Sequence, residues 1–155
     1  MIVDLLRNDF GKVCATGSIS TPALFEIESF ANVHHLVSTV TGRLAPARNA
    51  IDLLRATFPG GSITGAPKRR AMAIIDELEP HRRGLYCGAI GYIGFNGDMD
   101  TNIAIRTLVS QGDTVKFGVG GGVVADSTAE SEYQECLDKA APMLQLLRPD
   151  LDGRD

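Results

Sequence analysis

The spacing of apolar residues along the chain alternates between helical and extended patterns. Apolar side chains three or four residues apart predict helices, and stretches rich in β-branched and aromatic residues predict strands. The predicted helices span residues 1–10, 49–58, 66–79 and a terminal stretch that ends near 147; the predicted strands lie within 17–44 and at 85–95, 101–109, 114–119 and 122–125. Turn signals at Asn96-Gly97 and Gln111-Gly112-Asp113 separate consecutive strands. This order predicts an α+β fold with antiparallel sheets and packed helices.

The terminal helix carries the clearest chemical pattern. Ser127 with Glu130 three residues later forms an S-x-x-E capping box, so Ser127 is expected to be the N-cap. Glu132, Glu135 and Lys139 then fall within roughly 60° of one another on the helix surface. A separate stripe is expected to face the core, and it comprises Tyr133, Leu137, Ala140, Leu144 and Leu147. Taken alone, the charged face also fits a solvated surface with one i, i+4 ion pair worth a few tenths of a kcal/mol.

A glycine cluster, the run Gly118-Val119-Gly120-Gly121-Gly122, precedes this helix. Glycines at the end of a strand let a ligand approach the backbone and leave N–H groups free for an anion, although such clusters are more often a bulge or a tight turn. No G-x-G-x-x-G or Walker pattern is present. Placed directly before paired carboxylates, the cluster predicts half of a site for Mg²⁺ and an anionic organic molecule.

Composition narrows the class of protein. The chain has 155 residues and 44% apolar content, enough for one domain with a buried core. Its net charge is −4, and the dense basic run Lys68-Arg69-Arg70 is too short for a nucleic-acid surface. No apolar run reaches the roughly 18 residues of a membrane helix, and charges in the first ten residues argue against a signal peptide. Cys14, Cys87 and Cys136 lack paired spacing, so we expect reduced, mostly buried thiols without zinc in a cytoplasmic protein.

Several motifs together resemble those of chorismate-utilising enzymes, the family of anthranilate, aminodeoxychorismate, isochorismate and salicylate synthases. The stretches that carry the resemblance are MIVDLLRNDFG (1–11), HHLVSTVTGRL (34–44), FPGGSITGAPKRRAM (58–72), CGAIGY (87–92), DMDTNIAIRT (98–107) and GGGVVADSTAESEYQECLDKA (120–140). They span nearly the whole chain in the family's order and spacing. Within the family, GGSITGAPK most resembles component I of aminodeoxychorismate synthase, because anthranilate synthases more typically carry GT-x-SGAPK there.

The resemblance implies a Mg²⁺-dependent transferase that aminates chorismate at C4. The implied product is 4-amino-4-deoxychorismate, a precursor in p-aminobenzoate and folate biosynthesis, and the implied ammonia source is a glutamine amidotransferase subunit or fused domain. Two alternatives stay open. One is component I of anthranilate synthase, which also expels pyruvate, and the other is a non-catalytic module that binds chorismate or an amino acid.

The resemblance also implies roles for individual residues. Glu132 and Glu135 correspond to the family's metal ligands, and Lys139 corresponds to a catalytic basic residue one turn beyond. Arg106, expected in a strand, would bind the enolpyruvyl carboxylate through its planar fork. The alternative, which we favour less, is an edge arginine reaching water. The other implied residues are His35, near the departing C4 hydroxyl, and Ser62, Tyr92 and the backbone N–H groups of Gly120 and Gly122, around the substrate. On residue type alone, a lone strand histidine such as His35 is more often structural, and Ser62 is equally compatible with a turn-stabilising role.

In the family, a long amino-terminal region precedes the stretch that resembles residues 1–11. It carries a further metal-binding glutamate and, in the aminodeoxychorismate branch, a P-I-K-G-T segment whose lysine resembles a covalent nucleophile. Neither feature lies in residues 1–155. We therefore expect residues 1–147 to be the carboxy-terminal part of a chorismate-binding catalytic domain and 148–155 to be a disordered tail. We also expect this portion alone to be inactive and to self-associate.

Overall fold

The computed structural model describes residues 1–30 and 34–148. Its elements, in chain order, are α1 Ile2–Phe10, β1 Ser20–Ser29, β2 His34–Thr41, α2 Ala50–Thr57, α3 Gly61–Thr64, α4 Lys68–Leu78, β3 Ala89–Ile93, β4 Met99–Ile103, β5 Val109–Gln111, β6 Thr114–Lys116 and α5 Ala129–Leu147. Consecutive strands pair as β1-β2, β3-β4 and β5-β6. The first and third pairs are antiparallel. The predicted α+β class is confirmed, whereas the predicted tail from residue 149 onward lies outside the described residues.

One compact unit comprises Met1–Arg82 and Ala89–Asn102. A cluster of charges joins three of its helices. Asp9 at the end of α1 is 2% exposed, and its carboxylate accepts from Lys12 Nζ at 2.7 Å and from Lys68 Nζ at 2.8 Å. Lys68 Nζ also donates to the carbonyl oxygen of Thr57 at 3.1 Å. Because a buried carboxylate is tolerated only when it is paired, the cluster fixes α1 against the end of α2 and the start of α4.

The second compact unit comprises Arg83–Gly88 and Ile103–Asp155. The short segment from residue 83 is tied to the chain after β4, since the N–H of Cys87 donates to the carbonyl of Ala104 and the N–H of Ala104 donates to the carbonyl of Gly88, each at 2.9 Å. Ala104 is fully buried. These bonds place Tyr86, the residue before Cys87, against the glycine run that precedes α5.

The start of α5 differs from the prediction. Its N-cap is Thr128, whose side chain accepts from the N–H of Ser131, so the prediction that Ser127 caps the helix is wrong. Two hydroxyl residues stand side by side at this position, and either satisfies the sequence rule for a cap. The structure gives the capping bond to Thr128 and leaves the Ser127 hydroxyl for another partner.

The buried face of α5 also differs from the prediction. Of the five residues expected to face the core only Ala140 is buried, and Tyr133, Leu137, Leu144 and Leu147 are exposed. The packed side instead holds the buried Ala140 and Met143 together with half-buried Glu132, Cys136 and Lys139. Because α5 carries apolar residues on two faces, periodicity alone does not decide which face is packed. The consequence is that Glu132 and Lys139 lie on the packed side.

Two smaller predictions fail for local reasons. Residues 122–125 form no strand, and Arg106 lies in a bend between β4 and β5 with φ of 50°. A residue in the left-handed region does not continue a strand, so the strand predicted over 101–109 is interrupted at Arg106. The two turn signals are confirmed, with Gly97 and Gly112 both at positive φ.

Exposed apolar side chains outnumber buried ones among the described residues. The buried hydrophobic residues are Val13, Cys87, Ala104, Ala140 and Met143. All three cysteines are free thiols, with Cys87 buried and Cys14 and Cys136 half-buried. Within 1–30 and 34–148, no helix has both the length and the apolar character needed to cross a membrane.

Candidate metal and anion site

Two carboxylates of α5 present one oxygen each toward the glycine run. Glu135 Oε1 accepts from Lys139 Nζ at 2.7 Å, and Lys139 Nζ also donates to the carbonyl oxygen of Gly120 at 3.1 Å. Glu132 Oε1 accepts from Ser127 Oγ at 2.5 Å. The remaining oxygens converge on Gly121, because a Cβ added there would lie 2.5 Å from Glu132 Oε2 and 3.0 Å from Glu135 Oε2.

The arrangement suits a hard cation. Glu132 Oε2 is buried and has no hydrogen-bond partner in the described part of the chain. Leaving a buried polar atom unpaired costs about 1–3 kcal/mol and more when the group is charged, so the site gains from a positive ligand at this oxygen. Carboxylate oxygens are the ligands that Mg²⁺ prefers, and Mg²⁺ commonly keeps several waters. Within residues 1–30 and 34–148 no group of three His, Cys, Asp or Glu side chains could hold a metal. The two glutamates would therefore be only part of a coordination shell.

At three of the glycines before α5, neighbouring groups leave no room for a side chain. A Cβ at Gly118 would collide with the ring of Tyr86, and one at Gly120 would lie 2.9 Å from the Tyr86 hydroxyl oxygen. At Gly121 the obstruction is the pair of carboxylates, whereas a Cβ at Gly122 would meet nothing within 4 Å. The sequence prediction explained the cluster by ligand approach. In the structure, Gly118 and Gly120 make room for Tyr86, and Gly121 leaves the space between the carboxylate oxygens open.

A small pocket opens within the second unit beside the glycine run. It is lined by Tyr86, Ile105, Arg106, Gly118, Val119, Gly120, Lys139 and Met143. Two cationic side chains in this lining, Arg106 and Lys139, favour an anionic group. Arg106 holds its place with φ of 50°, in a region that is uncommon for residues other than glycine. Backbone strain of this kind is concentrated at ligand sites, which supports a binding role for Arg106.

Tyr86 is a pocket residue that the sequence analysis did not identify. Burial raises the pKa of Tyr86 to about 12, the neighbouring Cys87 thiol adds to the increase, and Arg83 opposes it. The phenol therefore stays protonated at neutral pH and can act as a hydrogen-bond donor in the pocket. An aromatic residue before a Cys-Gly pair carries no sequence signal for such a role. Ser127 was also missed as a partner of Glu132, because its sequence context is equally that of a helix cap.

The predicted site residues divide between the two compact units. His35, Ser62 and Tyr92 belong to the first unit, and Arg106, Gly120, Gly122, Glu132, Glu135 and Lys139 belong to the second. His35 is half-buried on β2, with its ring edge-on to Phe30 and the ring centroids 5.6 Å apart. Ser62 lies exposed in the four-residue α3, and Tyr92 is 63% exposed on β3. In the second unit, the structure brings Glu135, Lys139 and Gly120 into direct contact, and Arg106 lines the same pocket as Lys139.

Comparison with known proteins decides the family. Residues 1–145 match the family described as chorismate binding enzyme. The chain belongs to that family. Component 1 of aminodeoxychorismate synthase from Escherichia coli (strain K12) is 58% identical over 147 residues, which cover 95% of this chain and 32% of the relative. Component 1 of anthranilate synthase from Arthrobacter globiformis is 52% identical over 145 residues, covering 94% of this chain and 27% of the relative.

A solved structure gives the same assignment for the fold. The crystal structure of anthranilate synthase component I from Streptococcus pneumoniae TIGR4 superposes with a TM-score of 0.81 and 47% sequence identity, covering 92% of this chain and 33% of that one. The resemblance noted from the motifs is therefore confirmed for family and fold. The chain spans about a third of the length of the curated relatives it matches. The roles of the individual residues stay predictions.

Proposed function

We propose that this chain is the part of an aminodeoxychorismate synthase component I that holds Mg²⁺ and one carboxylate of chorismate. In the proposed reaction ammonia replaces the C4 hydroxyl, giving 4-amino-4-deoxychorismate and water, and the enolpyruvyl group is kept. The observation that carries the proposal is the buried, unpartnered Glu132 Oε2, which shares the space beside Gly121 with Glu135 Oε2. The 58% identity to component 1 of the E. coli enzyme supports this branch of the family.

Glu132 and Glu135 would hold the metal ion. When bound, Mg²⁺ supplies Lewis-acid polarisation and orients an anionic substrate. Lys139 contacts other protein groups of the site, because its ammonium group pairs with Glu135 Oε1 and donates to the carbonyl of Gly120. That pairing fixes the direction of the second Glu135 oxygen. We assign Lys139 a positioning role on these contacts.

Arg106 would bind a substrate carboxylate in the pocket. A guanidinium offers two parallel N–H donors to a carboxylate, and the half-buried phenol of Tyr86 lines the same pocket as a neutral donor. The backbone N–H groups of Gly120 and Gly122 are further candidates for the same anion. The roles of His35, Ser62 and Tyr92 rest on the family resemblance alone.

The proposal includes an ammonia-supplying partner. The similar proteins from E. coli and A. globiformis are each named as a component 1, which supports a second component in the complete enzyme. By the resemblance of the motifs, this second component is a glutamine amidotransferase. The proposed pathway is the p-aminobenzoate branch of folate biosynthesis.

The metal assignment is tested by substitutions on α5 and in the glycine run of the full-length protein. Glu132→Gln and Glu135→Gln should each lower kcat/KM by orders of magnitude, since each removes an anionic ligand of a hard cation. Gly121→Ala should act the same way, because its methyl group would enter the space between the two oxygens. Gly122→Ala is the matched control. It keeps the backbone N–H and its Cβ would meet nothing within 4 Å, so its Mg²⁺ affinity should equal that of the wild type. Near-normal turnover of either glutamine variant at low Mg²⁺ would contradict the assignment.

The product distinguishes the proposal from its alternatives. Full-length protein is incubated with chorismate, Mg²⁺ and ammonium, and products are separated by chromatography with a coupled assay for pyruvate. Aminodeoxychorismate without pyruvate is the expected result. Anthranilate with stoichiometric pyruvate would instead support the second candidate, which the 52% identity to the A. globiformis anthranilate synthase component favours. Chorismate binding without Mg²⁺ dependence and without product would indicate a non-catalytic module.

A further inference from the structure

The hydroxyl of Ser127 connects the backbone before α5 with a carboxylate of the candidate metal site. Ser127 Oγ donates to Glu132 Oε1 at 2.5 Å and accepts from the N–H of Val124 at 3.0 Å. The N–H of Ser127 donates in turn to the carbonyl of Val124 at 3.1 Å. The serine is thus held from both its side chain and its backbone, and its single hydroxyl proton is committed to Glu132.

Helix capping does not account for this serine. Thr128 supplies the cap of α5 through the N–H of Ser131, and Thr128 Oγ1 also bonds Ser131 Oγ at 2.9 Å. The two adjacent hydroxyl residues therefore have separate partners. Thr128 serves the helix backbone, and Ser127 serves a side chain one turn into the helix.

The Ser127 bond determines which Glu132 oxygen is left without a partner. With Oε1 occupied by the serine, Oε2 is the atom that is buried, unpaired and directed at the space beside Gly121. Glu135 shows the same division, since Lys139 occupies its Oε1 and its Oε2 lies beside Gly121. Each glutamate is therefore held at one oxygen and open at the other, one by a neutral donor and one by a cation.

We propose that Ser127 is a positioning residue for the metal ligand Glu132, and that its hydroxyl turns Glu132 Oε2 toward the cation. The proposal rests on the proposed Mg²⁺ site. Partners that orient a metal-binding carboxylate typically change metal affinity by about 10- to 100-fold when they are removed. Because the Ser127 hydroxyl donates to the carboxylate and carries no charge of its own, the expected effect is on orientation and not on the total charge of the site.

The test measures Mg²⁺ affinity directly by titration calorimetry of the full-length protein. Ser127→Ala should weaken Mg²⁺ binding by about 10- to 100-fold, and Ser127→Thr, which keeps the hydroxyl, should restore most of it. Thr128→Ala is the matched control one residue away, and it should lower the urea midpoint while keeping Mg²⁺ affinity. In a Glu132→Gln background, Ser127→Ala should have no further effect on affinity, because the serine acts through that carboxylate.

The outcomes separate this proposal from the metal site on which it rests. Unchanged Mg²⁺ affinity in Ser127→Ala, with normal affinity in the wild type, would overturn the positioning role and leave the metal site standing. Equal losses of affinity in Ser127→Ala and Thr128→Ala, each following the urea midpoint, would show a general effect on α5 and also overturn it. A wild-type protein that binds no Mg²⁺ would overturn both proposals.

Discussion

Arg106 links a strained backbone to a proposed binding function at the scale of a single residue. Its φ of 50° lies where a residue with a Cβ pays roughly 1–3 kcal/mol, and the residue lines a pocket with Lys139 and Tyr86. Glycine or asparagine would adopt this backbone with less strain. A requirement for the guanidinium group in the pocket would explain why an arginine occupies this position.

The head group can be tested without changing the backbone. Arg106→Lys should be nearly as damaging to chorismate binding as Arg106→Ala, because an ammonium group cannot reproduce the bidentate fork. The expected loss in binding free energy is roughly 1.5–3 kcal/mol for a charge-assisted contact. Calorimetric titration of the full-length variants with chorismate measures it. If lysine recovers most of the affinity, Arg106 contributes general positive charge and does not clamp a carboxylate.

Tyr86 gives a prediction about pH. Its pKa is about 12 in the folded protein, against about 10 for an ordinary tyrosine, so the folded state holds this proton more tightly than the unfolded state. Its contribution to stability is therefore complete below about pH 10 and is lost as the pH rises toward 12. Titration of tyrosinate absorbance should show a late step that Tyr86→Phe removes. A titration that is the same in both proteins would show that the phenol is not held in its neutral form.

At the scale of elements, the sequence predicts features that depend on neighbouring residues and does not predict those that depend on contacts distant along the chain. α2 begins at the predicted place because its N-cap Asn49 and Asp52 make a capping box within four residues of chain. The packed face of α5 could not be read the same way, because it depends on which of two apolar faces meets the rest of the unit. The reason for glycine at Gly118 depends on Tyr86, which lies far away in sequence. Contacts between residues far apart in the chain produce no periodic pattern in the sequence.

The buried carboxylate of Asp9 pairs with two lysines that differ in their exposure. Lys68 is 18% exposed and also bonds the carbonyl of Thr57, whereas Lys12 is 47% exposed. Lys68→Met should destabilise the protein by roughly 3–5 kcal/mol, because it removes the buried partner of a buried carboxylate. Lys12→Met should cost less, because the Lys12 ammonium group is 47% exposed and Lys68 still pairs with the carboxylate. Urea unfolding of both variants gives the comparison, and equal effects would show that Lys68 is no more important than a surface lysine.

At the scale of the whole molecule, the chain presents apolar surface on several elements. Ile27 and Leu36 face each other across the β1-β2 pair, and each is 71% exposed. The exposed apolar residues of α5, among them Tyr133 and Leu137, form a second such surface. Contiguous apolar surface of this kind marks places where protein associates with protein.

We therefore expect the 155-residue chain on its own to self-associate. By the family resemblance, which implies a further metal-binding glutamate outside residues 1–155, we also expect it to make no aminodeoxychorismate. Size-exclusion chromatography with light scattering measures the association. Replacing the facing pair by opposite charges, Ile27→Lys with Leu36→Glu, should reduce it, since a cross-strand ion pair keeps the register while removing apolar surface. The control is Ser20→Lys with Thr41→Glu, a facing pair that is joined by its hydroxyls. It removes no large apolar side chain and should leave the association unchanged. A monodisperse monomer with measurable turnover would contradict the expectation.

The position of Tyr86 also gives access to the pocket by optical spectroscopy. The chain contains no tryptophan, so a Tyr86→Trp substitution would introduce one indole against the glycine run, beside Arg106 and Lys139. The emission of an indole depends on the polarity of its surroundings and on nearby charge. Filling the pocket with an anion or loading the α5 carboxylates with a cation would then produce separate fluorescence changes. One aromatic substitution would let the order of the two binding events be followed in real time.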